Sequence, residues 1–339
     1  MKFRLALAAS LFISLIILII ATGLGSVFIS PQDCFLILAH KILGIDIGNN
    51  IPLYQVGIIW NLRLPRVLLA WIAGAALSVS GAVMQSVLKN PLASSFTLGV
   101  SAGASLGAGL VILSGLTIPF SGIFAIPVAG FLFSLAAMVL VMRFSHALDP
   151  RLDGNTIILS GMVLSLFINA ILMLLSALSG EAMNRLIMWQ MGSFALKGWN
   201  PVQILFPATI TGIILVFLFS RELDIMTFGD EEASAIGVPV VLHKRILITL
   251  ASLLTGCTIS FVGVVGFLDL AVPHIVRRIL GPTHRKLIPF SAIFGGALMV
   301  LSDLVARTLI PPLDLPVGAI TAVVGAPVFA WIYFSSRKK

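Results

Sequence analysis

Run after run of this chain continues for about 20 residues with few or no charged side chains, the length an α-helix needs to cross the hydrocarbon of a bilayer. In lipid every backbone polar group must be satisfied internally, so such a chain forms helices or a closed barrel. Glycine and alanine are mixed into the runs and no polar/apolar alternation is present, which selects helices. Ten spans are read: one from the N-terminus to about residue 24, then 64–88, 94–113, 122–142, 156–178, 201–220, 246–265, 267–280, 288–310 and 318–334. The expected fold is an all-α membrane protein with ten transmembrane helices, residues 1–339 forming a single transmembrane domain. Charged residues make up 10% of the chain, against about a quarter in soluble domains, which excludes a soluble globular class.

Lys2 and Arg4 ahead of an apolar run imitate a signal peptide, but the run exceeds the usual apolar core, so it reads as a retained first helix. An even number of spans puts both termini on one side. Fifteen of the 21 basic residues fall on the connections of that side, which the positive-inside bias makes cytoplasmic. The same bias accounts for the net charge of +8 without a nucleic-acid partner. Residues 30–61 read as a polar connection carrying Asp33, His40, Lys41 and Asp46. Cys34 and Cys257 lack metal-ligand spacing and read as unpaired thiols in packed helices.

One charged island interrupts the hydrocarbon, at 221–245, with five of the 13 acidic residues: Glu222, Asp224, Asp230, Glu231 and Glu232. Gly229 is followed by Asp230 as an N-cap, by Glu231 and Glu232 where a helix dipole favours negative charge, then by Ala233, Ile236 and a terminating Gly237. The pattern predicts a short exposed cytoplasmic helix, either a capped, solvated turn or a docking element. Glycine and alanine at 74, 75, 81, 99, 103, 107, 109, 295 and 296 fit close helix contacts. No GxxxxGK[ST] occurs, so these glycines do not form a phosphate cradle.

Ionisable residues inside spans are costly and need a reason. Asp303 and Arg307 have the i,i+4 order of a favourable pair. Asp269, read as lying near the outer start of its span, either snorkels, pairs with another helix or lines an aqueous path. His274, after Pro273, is either a packing residue or a ligand. Arg63 and Arg66, flanking Leu64 and Pro65 at an outer helix start, oppose the positive-inside trend and face either an acidic partner or lipid headgroups. No Ser-His-Asp, HExxH or paired-carboxylate pattern stands out, so neither a catalytic set nor a metal site is expected.

Six stretches together resemble one family, the permease subunits of type II ABC importers for ferric siderophores, haem, cobalamin and related metal chelates. They are RLPR at 63–66, GAVMQSVLKNPLASSFTLGVSAGA at 81–104, GDEEASAIG at 229–237, PHIVRRILGPTHR at 273–285, SDLVAR at 302–307 and DLPVGAITAVVGAPVFAW at 314–331. The resemblance implies a homodimer in the inner (cytoplasmic) membrane. It also implies two cytoplasmic ATPase subunits that carry ATP and Mg, and a periplasmic or surface-tethered binding protein, with no cofactor or catalysis in this chain. Arg63 and Arg307 match the arginines that dock the binding protein. Gly229, Asp230, Glu231, Glu232, Ala233, Ile236 and Gly237, within a 221–245 coupling loop, match the helix that engages the ATPase. Gly154 and Asn155 fall at the inner gate. Asp269 departs from the family's glycine in FVGLxxPH, which makes it a candidate pathway residue; Asp314 and Asp230 replace glutamates. The expected cargo is a ferric siderophore. Haem, cobalamin and an oxyanion such as molybdate are alternatives, and a secondary transporter driven by an ion gradient is a remoter one.

Overall fold

A computed structural model describes residues 2–25, 27, 29–44, 51–115, 124–178 and 182–336. Asp46, Gly122 and the terminal Arg337, Lys338 and Lys339 lie outside the described residues. The described chain is helical: α1 (Lys2–Gly23), α2 (Pro31–Leu43), α3 (Leu53–Gly57), α4 (Leu64–Val87), α5 (Val100–Ser114), α6 (Ala125–Leu148), α7 (Gly154–Ala177), α8 (Ala182–Gln190), α9 (Trp199–Leu218), α10 (Ser220–Met226), α11 (Asp230–Ala235), α12 (Val240–Val262), α13 (Leu268–Leu280), α14 (His284–Thr308) and α15 (Val317–Ser336). Seven helices among the described residues are long and apolar enough to cross a membrane: α1, α6, α7, α9, α12, α14 and the continuous Leu53–Val87 helix that ends in α4. The spans read at 94–113, 267–280 and 318–334 correspond to α5, α13 and α15, which are shorter or only partly described in detail.

α4 is the central rod. Its helix is 89% buried across the apolar window, whereas α1 is 17% and α7 22% buried and turn large apolar side chains outward, the surface expected of a protein solvated by lipid. α14 runs antiparallel to α4: Arg66 at the start of α4 meets Asp303 near the end of α14, and Ser86 at the end of α4 meets His284 at the start of α14. Between these points a Cβ on Gly74 would overlap the carbonyl of Gly295, so the two backbones approach at a spacing only glycine permits.

Three boundaries differ from the sequence reading. The connection at 30–61 holds helices: Pro31 starts α2, the Ser30 hydroxyl caps it by accepting the Asp33 N–H, and a π-helical turn at Ile58–Arg63 joins α3 to α4. α5 begins at Val100 and not at 94, because Asn90 and Ser94 side chains accept backbone N–H groups in successive turns and Gly99 enters the helix at φ 78°. α12 begins at Val240, so Lys244 and Arg245 belong to a helix and not to the charged connection.

Candidate functional site

The charged island folds as α10, then α11. Gly229 and not Asp230 is the N-cap of α11, at φ 149°; Asp230 is the first helical residue and its carboxylate is used elsewhere. The C-terminus closes as the pattern predicts: Gly237, at φ 87°, donates to the Ser234 carbonyl and Val238 to the Ala233 carbonyl, the paired bonds of a Schellman motif. Ala233 is buried beneath the turn, while Glu231, Glu232, Ile236 and Gly237 are exposed. Phe228 and Ile236, 81% and 68% exposed, put apolar surface on either side of the acids.

Asp230 is clamped by two lysines the sequence reading took only as cytoplasmic charges. Lys89, just past the end of α4, donates to Oδ1 at 2.6 Å, and Lys244 of α12 donates to Oδ2 at 2.5 Å. Burial pushes the Asp230 carboxyl up, but the hydrogen bonds and charges of Lys244 and Lys89 outweigh it and hold the group below the usual carboxylate range. Lys244 is almost fully buried and also donates to the Leu152 carbonyl at 2.8 Å. Two residues on, Gly154 starts α7 against the Leu88 carbonyl, which a Cβ would strike, and the Asp153 side chain accepts the Asn155 N–H at 2.9 Å. The structure therefore brings 229–237 and the Gly154–Asn155 turn to one place, with Lys244 as the bridge. Lys244 carries no local signal, because its partners are 14 and 92 residues away.

The opposite end of α4, about 36 Å away for a 24-residue helix, holds a second cluster. Arg63 and Arg307, 6% and 8% exposed, point inward to the end of α1: Arg63 donates to the Gly23 carbonyl at 2.6 Å and to the Val27 carbonyl beyond the helix, and Arg307 donates to the Ala21 carbonyl at 2.5 Å. Cations at a helix C-terminus complement its dipole. The expected Asp303–Arg307 pair is present at 3.6 Å, but the tighter partner of Asp303 is Arg66, which reaches both carboxylate oxygens at 2.9 to 3.1 Å and Asp314 at 2.9 Å. Arg63, Arg66, Arg307 and Asp314 line an open recess of about 380 Å³.

Asp269 is not near that end. Its backbone packs on Gly81, about 26 Å along α4 from Leu64 and about 9 Å from Val87. α13 is a half-length helix that starts inside the bundle, reached through 263–267, where Gly263 and Phe267 take positive φ. Local span counting could not reveal that reversal. Asp269 is 2% exposed; Ser94 hydrogen-bonds its carboxyl, and among the described residues Oδ2 has no hydrogen-bond partner. Nearby Gln85 donates to the Asp269 and Leu270 carbonyls and accepts from Arg277.

A Ser-His-Asp string does assemble in space, from residues dispersed in sequence: Ser86 Oγ lies 2.6 Å from His284 Nε2, and His284 Nδ1 lies 2.6 Å from Asp224. The Ser86 hydroxyl is buried and also engaged by the Ala82 carbonyl and Arg277, so the string ties α4, α10, α13 and α14 together instead of presenting a nucleophile.

A bundle that turns large apolar side chains outward, with a half-helix in its interior and a short acidic helix clamped at one end, is compatible with a transporter's membrane subunit. The chain belongs to the FecCD transport family, whose model matches residues 12–335, and is an ABC importer permease. It is 41% identical over 321 residues to the ABC transporter permease protein YvrB of Bacillus subtilis, covering 95% of this chain and 91% of that protein. It is 36% identical over 287 residues to the hemin transport system permease protein HmuU of Yersinia pestis, covering 83% and 84%. A solved metal-chelate type ABC transporter in an inward-facing conformation superposes with a TM-score of 0.85 at 28% identity, covering 98% and 99% of the two chains.

Proposed function

We propose that this chain is the pore-forming subunit of an ATP-driven importer of a metal chelate, with a ferric siderophore as the cargo. Two copies enclose the pathway in the cytoplasmic membrane, each crossing it ten times with both termini and the 221–245 loop in the cytoplasm. Two ATPase subunits carry the ATP and Mg; a binding protein delivers the chelate at the Arg63 end. The observation that carries the reading is the clamp at Asp230. A short acidic helix flanked by exposed Phe228 and Ile236 is fixed through Lys244 to the Leu152 carbonyl, two residues from Gly154. A push on α11 by an ATPase therefore meets the proposed gate at Gly154 and Asn155 through one buried side chain.

At the other end Arg63 and Arg307 form the floor of the recess on which acidic side chains of a binding protein would seat. If the chelate passes Asp269, whose Oδ2 has no hydrogen-bond partner among the described residues, an acid there disfavours a free anion and tolerates a neutral or cationic chelate. The hemin relative and the metal-chelate neighbour support the cargo class. The test is reconstitution with candidate ATPase and binding protein in vesicles, measuring ATP-dependent uptake of ferric siderophores, haem, cobalamin and molybdate. Uptake without ATPase that follows an imposed proton gradient would overturn the reading. Preference for another of these cargoes would replace the siderophore and leave the architecture standing.

A further inference from the structure

At the α11 end of the bundle, α1, α9 and α14 part to leave an open groove of about 670 Å³. Its walls are hydrocarbon: Phe3 and Leu7 of α1, Ile213, Ile214 and Phe217 of α9, and Ile288 at its base. Its rim is different in kind, with Thr283, Arg285 and Lys286 at the start of α14, all exposed. Among the described residues Arg285 and Lys286 make no ion pair, whereas Arg66, Lys89, Lys244 and Arg307 all do. Arg4, one residue from Phe3, is exposed on the same end of α1.

We infer that this groove binds one anionic phospholipid, with the phosphate held by Arg285 and Lys286 and the acyl chains lying along α1 and α9. Charge complementarity and position select the occupant. Two adjacent unpaired cations over an apolar slot attract a molecule that is anionic at one end and hydrocarbon at the other, and basic pockets between transmembrane helices hold acidic headgroups in this way. The first turn of the 25-residue α14 adds a dipole of the right sign, and Thr283 spends no side-chain hydrogen bond on capping it. The site is separate from the recess at Arg63 and from the α11 clamp, and does not depend on which cargo is carried.

The test uses the full-length protein, purified in neutral detergent, stripped of lipid and exposed to equal amounts of phosphatidylglycerol and phosphatidylcholine, with bound lipid read by native mass spectrometry. The native protein retains phosphatidylglycerol in preference. Arg285→Gln with Lys286→Gln lowers that retention about thirtyfold, from about 1 kcal/mol per basic residue, and an unchanged melting temperature shows that these exposed substitutions leave the fold intact. Ile214→Trp, which fills the groove, lowers retention of both lipids. Equal retention by the native protein and the double variant overturns the inference, as does displacement of lipid by millimolar inorganic phosphate. A double variant that keeps the lipid but loses association with an ATPase assigns the two cations to a protein surface and also overturns it.

Discussion

Lys244→Met removes the bridge between α11 and the start of α7 while keeping the length and apolar stem of the side chain. In the native protein the ammonium makes two hydrogen bonds in a nearly closed site, to Asp230 at 2.5 Å and to the Leu152 carbonyl at 2.8 Å. Hydrogen bonds to charged groups contribute about 1.5–3 kcal/mol each. Asp230 keeps Lys89 and is about a third exposed, so it is not stranded, and methionine recovers part of the packing. The net loss is about 2–3 kcal/mol, which raises the open population of α11 by about 30- to 150-fold. Hydrogen exchange of the 230–238 amides reads this directly, because local opening sets their protection. In the reconstituted importer the same variant hydrolyses ATP with little uptake. Lys89→Met is the internal control: its side chain is 36% exposed, so its pair is worth under about 1 kcal/mol and exchange rises only a fewfold. If α11 exchange is unchanged in Lys244→Met, or responds more to Lys89→Met, the buried bridge is not what holds the helix.

Asp303→Asn leaves Arg66 and Arg307 buried without their shared carboxylate and costs about 3–5 kcal/mol in thermal unfolding, whereas replacing the whole triad, Asp303→Leu with Arg66→Met and Arg307→Met, recovers most of it. Gly81→Val drives a side chain into the Asp269 backbone, and its cost of more than about 1–3 kcal/mol should exceed that of the same change at Gly57, where an added Cβ meets nothing within 4 Å; equal melting temperatures for the two variants would mean that α13 does not seat on α4 as described. Because the carboxyl of Asp230 lies below its unfolded range, its clamp contributes stability that is complete above the ordinary carboxylate range and is lost only as pH falls through the lowered folded value. Exchange at α11, corrected for intrinsic rates, therefore stays flat from about pH 7 to about pH 5, and loosening within that window would contradict the clamp. Asp269→Gly changes the kinetics of chelate uptake at unchanged ATPase assembly if its free oxygen faces the pathway; uptake identical to the native protein would reduce it to a packing residue.

What was legible in the sequence was what depends on neighbours along the chain. Apolar runs near 20 residues marked the long helices, and Gly237 marked the end of α11 because a left-handed residue there is needed whatever surrounds it. Arg66 reads from the sequence as facing an acidic partner or headgroups, and Lys244 only as cytoplasmic charge; the acids they meet in the structure belong to this chain, lie up to 248 residues away and arrive by packing. Asp269 was misplaced for a related reason. Counting spans assumes that each begins at a membrane face, and α13 begins in the interior after an extended lead-in that has no periodic signature. The Asp303–Arg307 spacing was read correctly as a contact, but the face of α14 that carries Asp303 turns to α4, so the stronger bond crosses between helices.

The two kinds of contact along α4 do different things. In lipid no hydrophobic force pulls helices together, so association rests on close packing and on polar bonds between helices. The middle of the α4–α14 contact is small residues, with Gly74 against Gly295 and Ser78 beside it; among the described residues the Ser78 hydroxyl has no hydrogen-bond partner. Such a smooth seam attracts through contact area but discriminates poorly between registers. Register is supplied at the two ends, by Arg66 with Asp303 and by Ser86 with His284. Sliding α14 by one turn, about 5.4 Å, would break both at once and strand buried charge at one end and a buried imidazole at the other. Of the two pins, only the His284 end connects to the charged island, through the bond from Asp224 of α10. A displacement entering at α10 and α11 therefore loads the helix pair at the end where its register is set by hydrogen bonds to a histidine, and leaves the Arg66–Asp303 end, held by a bidentate ion pair, as the fixed point.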